Sequence, residues 1–287
     1  MIVFNSQNAD GAMNMAIDES MLWWMNLLQT DLQELVKVGS GSLSEFPFPL
    51  NECLLRFYGW DPPAVSLGRY QRSERYLSLD NVAKRGLDVV RRPTGGKALI
   101  HQNELTYCLV VPSSSLLCSR SVRESHKIIV RALVKALSEI GIKAELGYLS
   151  GSGENKAGKP CFKEHLAESV IVKGRKVAGS AQLRQKGAIL QHGSILLSLD
   201  YELHNEVFGS NAADLNESAA GLYDLSFREF SINDLKRTIA DALSEELCEN
   251  VTDWCNIFPE FVKNYALGLR SDKYHLTVSA LRRDCNG

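Results

Sequence analysis

An apolar stretch interrupted by a Lys-Gly pair constrains the fold more than any other feature of this sequence. Ser169–Val172 and Lys176–Gln182 are rich in β-branched and small residues, and Lys173-Gly174 separates them. Two such runs joined by a short connection that contains a turn-forming Lys-Gly pair predict an antiparallel β-hairpin. Ala188–Leu199 predicts a long third strand beside it. The centre of the chain is therefore expected to form a sheet.

Helical periodicity flanks this predicted sheet. Apolar residues recur three and four positions apart from Met13 to about Leu28, from Val122 to Ile140 and from Ile232 to Leu247, which predicts amphipathic helices. Shorter apolar runs predict further strands at 1–5, 53–60, 64–67 and 87–92, and a tight Gly95-Gly96 turn between two strands. Strands flanked by helices, without regular alternation, favour an α+β fold with mixed or antiparallel β-sheets over repeated βαβ units.

Composition excludes several classes of function. The 287 residues are 45% hydrophobic and 23% charged, with a net charge of −2, which indicates a folded protein rather than one built to hold nucleic acid. No apolar run approaches the ~20 residues that cross a bilayer. The seven cysteines form no CxxC pair and no zinc-ligand spacing, so neither a metal site nor a disulfide framework is expected. A cytoplasmic protein with no membrane contact is predicted.

Cys161 is the leading candidate for a nucleophile. It follows a glycine-rich polar segment, residues 150–160, and lies just ahead of the predicted basic hairpin. A thiol reacts as its thiolate, and a nearby cation lowers its pKa from about 8.5. The hairpin turn would return Lys176 toward the segment that carries Cys161. We therefore expect Cys161 to accept an acyl group with the help of Lys176, although an inert buried cysteine and an exposed strand lysine are the alternatives.

Other candidates lie around glycine-rich turns. His101 and His192 are possible acid–base groups or structural hydrogen-bonding residues. Arg91 and Arg92 are suited to an anionic group, such as a phosphopantetheine phosphate, or to a carboxylate within the fold. Backbone N–H groups near Gly179 and Ser180, or at the turn formed by Gly95 and Gly96, are candidates for stabilising an oxyanion. Ala98 after Lys97 excludes a phosphate-binding P-loop.

Several motifs occur together and in order: Ala12–Glu19 (AMNMAIDE), Leu55–Trp60 (LRFYGW), Arg91–Gly96 (RRPTGG), Glu104–Tyr107 (ELTY), Gly174–Gln182 (GRKVAGSAQ) and Gln191–Ile195 (QHGSI). This combination resembles the biotin/lipoate protein ligase superfamily. Within it, the chain is similar to the cysteine-dependent octanoyl-[acyl-carrier-protein]:protein octanoyltransferases. The resemblance implies the ligase-like α+β fold that is shared with class II aminoacyl-tRNA synthetases and biotin synthetase.

The resemblance also implies an activity. Octanoyl-acyl carrier protein would give its octanoyl group to Cys161 as a thioester, and a lysine of a lipoyl domain would then receive it as an amide. Lys176 matches the family lysine that lowers the pKa of the nucleophile. The acceptors would be the glycine cleavage H protein and 2-oxoacid dehydrogenase E2 subunits, and no cofactor is expected. Residues 1–230 would form the catalytic domain, with 231–287 as a helical extension packed on it.

Two alternatives remain open. An ATP-dependent lipoate–protein ligase has the same fold but no need of a nucleophilic cysteine. A non-catalytic module that binds lipoyl domains or acyl carrier protein is the other alternative, suggested by Gln102, which stands where the family usually carries Asp.

Overall fold

The computed structural model describes residues 1–30, 52–71, 77–147, 169–225 and 229–274. The predicted loop at 150–160 lies outside these ranges. The helices are α1 (Gly11–Thr30), α2 (Leu79–Lys84), α3 (Val122–Glu139), α4 (Tyr201–Phe208), α5 (Leu215–Ser218), α6 (Leu222–Leu225), α7 (Ile232–Glu246) and α8 (Glu260–Leu269). None of these described helices is long and apolar enough to span a membrane.

The strands form two sheets. They are β1 (Ile2–Asn5), β2 (Leu54–Tyr58), β3 (Ala64–Leu67), β4 (Asp88–Arg91), β5 (Leu99–His101), β6 (Glu104–Val111), β7 (Glu145–Leu146), β8 (Val170–Val172), β9 (Arg175–Gln185), β10 (Ala188–Leu196) and β11 (Asp253–Cys255). The larger sheet has the order β11-β1-β2-β6-β10-β9-β8-β7. β1 pairs in parallel with β2 and β11, and the other pairs are antiparallel. The predicted α+β fold with mixed sheets is confirmed.

The smaller sheet corrects one prediction. Its order is β4-β3-β5, with β3 parallel to β4 and antiparallel to β5. β4 and β5 therefore do not pair with each other, and Gly95 and Gly96 do not close a hairpin. Residues 92–98 instead pass the end of β3, because that strand lies between the two that they connect.

Helices cover both faces of the larger sheet. On one face α3 and α7 pack against each other and bury residues such as Ile129, Leu133 and Ile239 against the sheet. On the other face α1 and α8 bury Met15, Trp24 and Val262. Apolar burial of this extent is the main favourable contribution to folding. The faces are called below the α3 face and the α1 face.

Local sequence determines where the elements begin and turn. The Ser121 hydroxyl accepts a hydrogen bond from the Glu124 N–H, and the Glu124 carboxylate accepts one from the Ser121 N–H, which forms a capping box at the start of α3. Ser231 caps α7. Lys173 and Gly174 have φ of 49° and 76°, the left-handed conformation that a two-residue hairpin turn requires. The predicted hairpin is confirmed.

Residues beyond 230 contribute more than helices. β11 pairs with β1 through Ile2 and Asp253, so this segment adds an edge strand to the larger sheet, which the predicted helical extension did not include. The domain boundary at residue 230 stays a prediction.

Candidate active site

Cys161 lies outside the described residues. The proximity of its thiol to Lys176 therefore stays a prediction, and the described part of the site is built from the surrounding strands.

A β-bulge determines where Lys176 points. Val170 pairs with Ala178, whereas Ile171 pairs with Lys176, so β9 holds one extra residue at this position. Residues opposite each other on antiparallel strands share a face. Ala178 belongs to the core on the α3 face, and the bulge therefore turns Lys176 to the α1 face. The lysine is 2% exposed, and its carbonyl accepts a hydrogen bond of 3.2 Å from the Ala220 N–H.

Gly179 and Ser180 project to opposite faces. Gly179 pairs with Ser194 and Ser180 pairs with Gly193. The Ser180 hydroxyl lies 2.8 Å from the Tyr107 hydroxyl, and Tyr107 belongs to the core on the α3 face. The structure therefore separates the Ser180 side chain from Lys176. Gly179 lies on the Lys176 face.

His192 lies on the α1 face in a buried hydrogen-bonded chain. Its Nδ1 is 3.0 Å from Asp18 Oδ2, and its Nε2 is 2.7 Å from Thr94 Oγ1. Asp18, on α1, also accepts hydrogen bonds from Arg56 Nη1 at 2.8 Å and the Tyr58 hydroxyl at 2.7 Å. This hydrogen-bonded chain of side chains connects α1, β10 and the 92–98 loop.

Burial and neighbouring charges shift the pKa values of Asp18 and His192. Burial would raise the pKa of Asp18, but the hydrogen bond from His192 and the charge of Arg56 bring it below its ordinary value. Burial lowers the pKa of His192, against the opposing effect of Asp18. A neutral imidazole can donate a hydrogen bond from Nδ1 to Asp18 and accept one from the Thr94 hydroxyl at Nε2. This tautomer meets the hydrogen-bonding needs of Asp18, His192 and Thr94 together.

His101 forms a second chain of the same kind. Its Nδ1 is 2.8 Å from Glu104 Oε1 and its Nε2 is 2.6 Å from Ser66 Oγ. The Trp60 ring stacks on the imidazole at 3.9 Å, and Ser194 donates to the same Glu104 oxygen at 2.6 Å. These contacts fix the ring orientation.

Arg92 connects the His101 chain to the 92–98 loop. Its Nη1 donates to Ser66 O and Oγ at 3.0 and 2.5 Å, and its Nη2 donates to Gly95 O and Lys97 O, both at 3.0 Å. These bonds to the protein's own oxygens give Arg92 a part in shaping the loop. A contact between Arg92 and substrate stays a prediction.

Arg91 points elsewhere. Its Nη1 donates to Gly68 O at 3.1 Å and Gln71 O at 2.6 Å, and the residue is half-buried. Arg91 and Arg92 thus support different segments.

The 92–98 loop closely approaches the end of β3. A Cβ at Gly68 would lie 2.0 Å from the Gly96 carbonyl oxygen, a distance that no side chain tolerates. Gly96 has a φ of 97°, which favours glycine. A Cβ atom at Gly95, by contrast, would have no other atom within 4 Å. Backbone groups at 95–96 are thus held by Gly68 on one side and Arg92 on the other.

The structure brings together on one side of the large sheet Lys176, Gly179, His192, His101 and the 92–98 loop. The sequence interpretation gave no role to Asp18, Thr94, Ser66 or Glu104. Asp18, Thr94 and Glu104 belong to the quoted motifs, and Ser66 lies outside those motifs, but motif membership alone did not indicate which side chains they contact. The arrangement offers ordered backbone groups and a buried lysine, which suits stabilisation of negative charge.

Comparisons with known proteins identify the family of this chain. Residues 10–244 match the family model described as Lipoyl protein ligase A/B catalytic domain. Octanoyltransferase LipM of Anoxybacillus flavithermus is 34% identical over 245 residues, which cover 81% of this chain and 81% of that relative. Octanoyltransferase LipM of Halalkalibacterium halodurans is 32% identical over 256 residues, 85% of each chain.

A solved structure shows the same fold. The bi-partite lipoate protein ligase from Thermoplasma acidophilum has a TM-score of 0.71 and 21% identity, with 98% of this chain and 95% of that chain covered. This likeness confirms the ligase-like fold. From the family match and the two relatives, the chain belongs to the lipoyl protein ligase A/B catalytic domain family.

Proposed function

We propose that this protein is an octanoyltransferase of lipoate biosynthesis, which moves an octanoyl group from acyl carrier protein to a lysine of a lipoyl domain. The observation that carries the proposal is the relationship to proteins named Octanoyltransferase LipM, at 32–39% identity. The acceptors would be lipoyl-domain proteins such as the glycine cleavage H protein and 2-oxoacid dehydrogenase E2 subunits, and the reaction would take place in the cytoplasm.

The reaction has two balanced steps through Cys161. The Cys161 thiolate attacks the carbonyl carbon of the carrier thioester, a new C–S bond forms as the C–S bond to the carrier breaks, and the carrier thiolate takes up the proton that Cys161 lost. The amine of the acceptor lysine then attacks the Cys161 thioester, a C–N bond forms, and the cysteine thiolate leaves while the nitrogen loses a proton. A thioester retains the activation of the acyl group, so amide formation needs no ATP.

Lys176 and the ordered backbone would lower the barriers of these steps. An ammonium group near Cys161 favours the thiolate. Each tetrahedral intermediate carries an oxyanion, which N–H groups near Gly179 or at Gly95 and Gly96 would stabilise. The two histidine chains hold Thr94 and Arg92, and through them the 92–98 loop. His101 and His192 therefore act in this proposal as positioning residues.

Intact-mass spectrometry tests the proposal. Incubation with octanoyl-acyl carrier protein should add one octanoyl group, and the adduct should disappear in Cys161→Ala and on addition of a lipoyl domain, which gains the same mass. Modification of the domain only with ATP and free acid would favour a ligase instead. No modification under either condition would favour a binding module.

The role of Lys176 has a separate test. Alkylation of Cys161, followed by peptide mass spectrometry across pH 5–9, should be slower near neutral pH in Lys176→Met than in the wild type. Lys186→Gln is the matched control, because Lys186 is exposed at the far end of the same strand pair. An unchanged pH profile in Lys176→Met would remove Lys176 from this role.

A further inference from the structure

A cationic cavity lies at the far end of β9 from Lys176. Its volume is about 420 Å³ and it is formed by the end of β9, the residues after β3 and β4, the start of the 92–98 loop, α1 and the turn at 270–274. Among the residues that the structure describes, its ionisable lining comprises five cations, Arg69, Arg91, Arg92, Arg184 and Lys273, and one carboxylate, Glu19, beside the hydroxyl of Tyr274. This charge balance indicates an anionic occupant.

The carboxylate does not neutralise the arginines. Lys273 Nζ donates to Glu19 Oε1 and Oε2 at 2.6 and 2.7 Å, and the Tyr274 hydroxyl also donates to Oε2. Glu19 is thus engaged by the one lysine of the cavity lining. The remaining four cations of the lining are guanidinium groups.

Three of these arginines lack an ion pair within the described part of the chain. Arg184 donates only to neutral oxygens, those of Cys118, Gln182 and Ser125, at 2.9 to 3.3 Å, and Arg91 donates to two carbonyls. The Arg69 guanidinium makes one described contact, with the ring of Tyr70 at 5.5 Å. Planar guanidinium groups without a carboxylate partner are well suited to phosphate.

A phosphopantetheine arm covers about two-thirds of the distance along β9 from this cavity to Lys176. Leu183 lines the cavity and lies seven positions from Lys176 along β9, on the same face. At the strand rise this separation is about 23 Å. Thirteen bonds join the phosphorus and the sulfur of phosphopantetheine, and at the reach of an extended chain they cover about 15 Å. A lysine side chain spans most of the remainder.

We propose that this cavity binds the phosphate of the phosphopantetheine arm of the acyl donor, with Arg69, Arg91 and Arg184 as its ligands, so that the thioester lies near Lys176. The inference rests on the proposed function, because it assumes an acyl group carried on such an arm. It assigns to one end of β9 the recognition of the donor and to the other end the acyl transfer.

The decisive experiment compares two soluble donors with and without the phosphate. Octanoyl-phosphopantetheine and octanoyl-pantetheine are each supplied with a lipoyl domain, and the ratio of their kcat/KM values is measured. The ratio should favour the phosphorylated donor in the wild type and fall about tenfold in Arg69→Gln, the loss of one charge-assisted hydrogen bond. Arg69→Lys should lose less, because it retains the charge. Arg237→Gln, a matched change at an exposed arginine on α7, should leave the ratio unchanged.

Binding without transfer gives an independent measurement. By calorimetry, phosphopantetheine should bind the wild type more tightly than pantetheine, and Arg69→Gln should remove most of that difference. An equal fall in kcat/KM for both donors, or equal binding of the two arms, would overturn the proposal. ATP is tested in the same calorimetric measurement. If Arg69→Gln weakens the binding of ATP but not that of phosphopantetheine, the proposal is also overturned, since the cavity would then be a nucleotide site. Wild-type protein that transfers neither from these donors nor from octanoyl-acyl carrier protein would contradict the proposed function, and the binding comparison would still decide the cavity.

Discussion

The buried charge of Asp18 offers the sharpest test of the structural argument. Asp18 is fully buried and accepts hydrogen bonds from Arg56, Tyr58 and His192. Asp18→Asn retains the shape of the side chain but removes its charge and one of its acceptor oxygens. Arg56, which is also fully buried, would remain charged without its carboxylate.

The expected loss follows from this burial. Removing one partner of a buried ion pair typically costs about 3–5 kcal/mol, a large part of the ~5–15 kcal/mol that stabilises most proteins. The Asn amide oxygen has two lone pairs and can replace Oδ2, which accepts from both Tyr58 and His192, so we expect a loss at the lower end of this range, about 3 kcal/mol. The amide NH2 group would then face Arg56 Nη1, which donates to the other carboxylate oxygen in the wild type.

Urea unfolding followed by tryptophan fluorescence measures the loss. Asp234→Asn is the control, since its 3.4 Å contact with Arg237 is more than half exposed on both sides and exposed pairs contribute at most about 1 kcal/mol. Equal stabilities of the two variants at pH 7 would refute the reasoning.

Acid provides a second measurement of the same charge. The pKa of Asp18 is lowered in the folded state, so its contribution is complete above the unfolded pKa of about 3.9 and is lost as the pH falls through the lower folded value. The stability difference between wild type and Asp18→Asn should therefore narrow below about pH 4. A constant difference from pH 7 to pH 3 would contradict an ionised Asp18.

Two further predictions concern the loop and its histidine. Gly68→Ala should destabilise the protein by about 1–3 kcal/mol, because its Cβ would displace the Gly96 carbonyl. Gly268→Ala, in α8 with no neighbour within 4 Å, should instead stabilise it by up to about 1 kcal/mol, and thermal unfolding that shows the same sign for both would contradict the predicted clash. The lowered pKa of His192 means that stability falls as the pH drops below about 6.5, where the unfolded chain binds the proton more readily. His192→Gln should reduce this slope between pH 7.5 and 5 without abolishing it, since the pKa of His204 is also lowered by burial; an unchanged slope would show that His192 does not titrate as the geometry requires.

Local chemistry in the sequence was sufficient to predict most elements. The hairpin at Lys173-Gly174 and the helices predicted from Val122 and from Ile232 agree with the structure, because each depends on residues close together in the chain. Gly95 and Gly96 do lie between two strands, but those strands do not pair across a tight turn, since each pairs with β3, a strand that lies earlier in the sequence.

The candidate site shows the same difference between what the sequence predicts and what the fold determines. The sequence by itself determined which residue types are present, including Lys176, His101 and His192, and its motifs were sufficient to indicate the family. Only the tertiary structure decided their partners. Asp18 reaches His192 across 174 positions, and one bulge in β9 decides that Lys176 and the Ser180 side chain lie on opposite faces. The reason is physical: propensity acts over a few residues, whereas hydrogen bonds between buried groups and the face to which a strand residue points depend on the packing of the whole sheet.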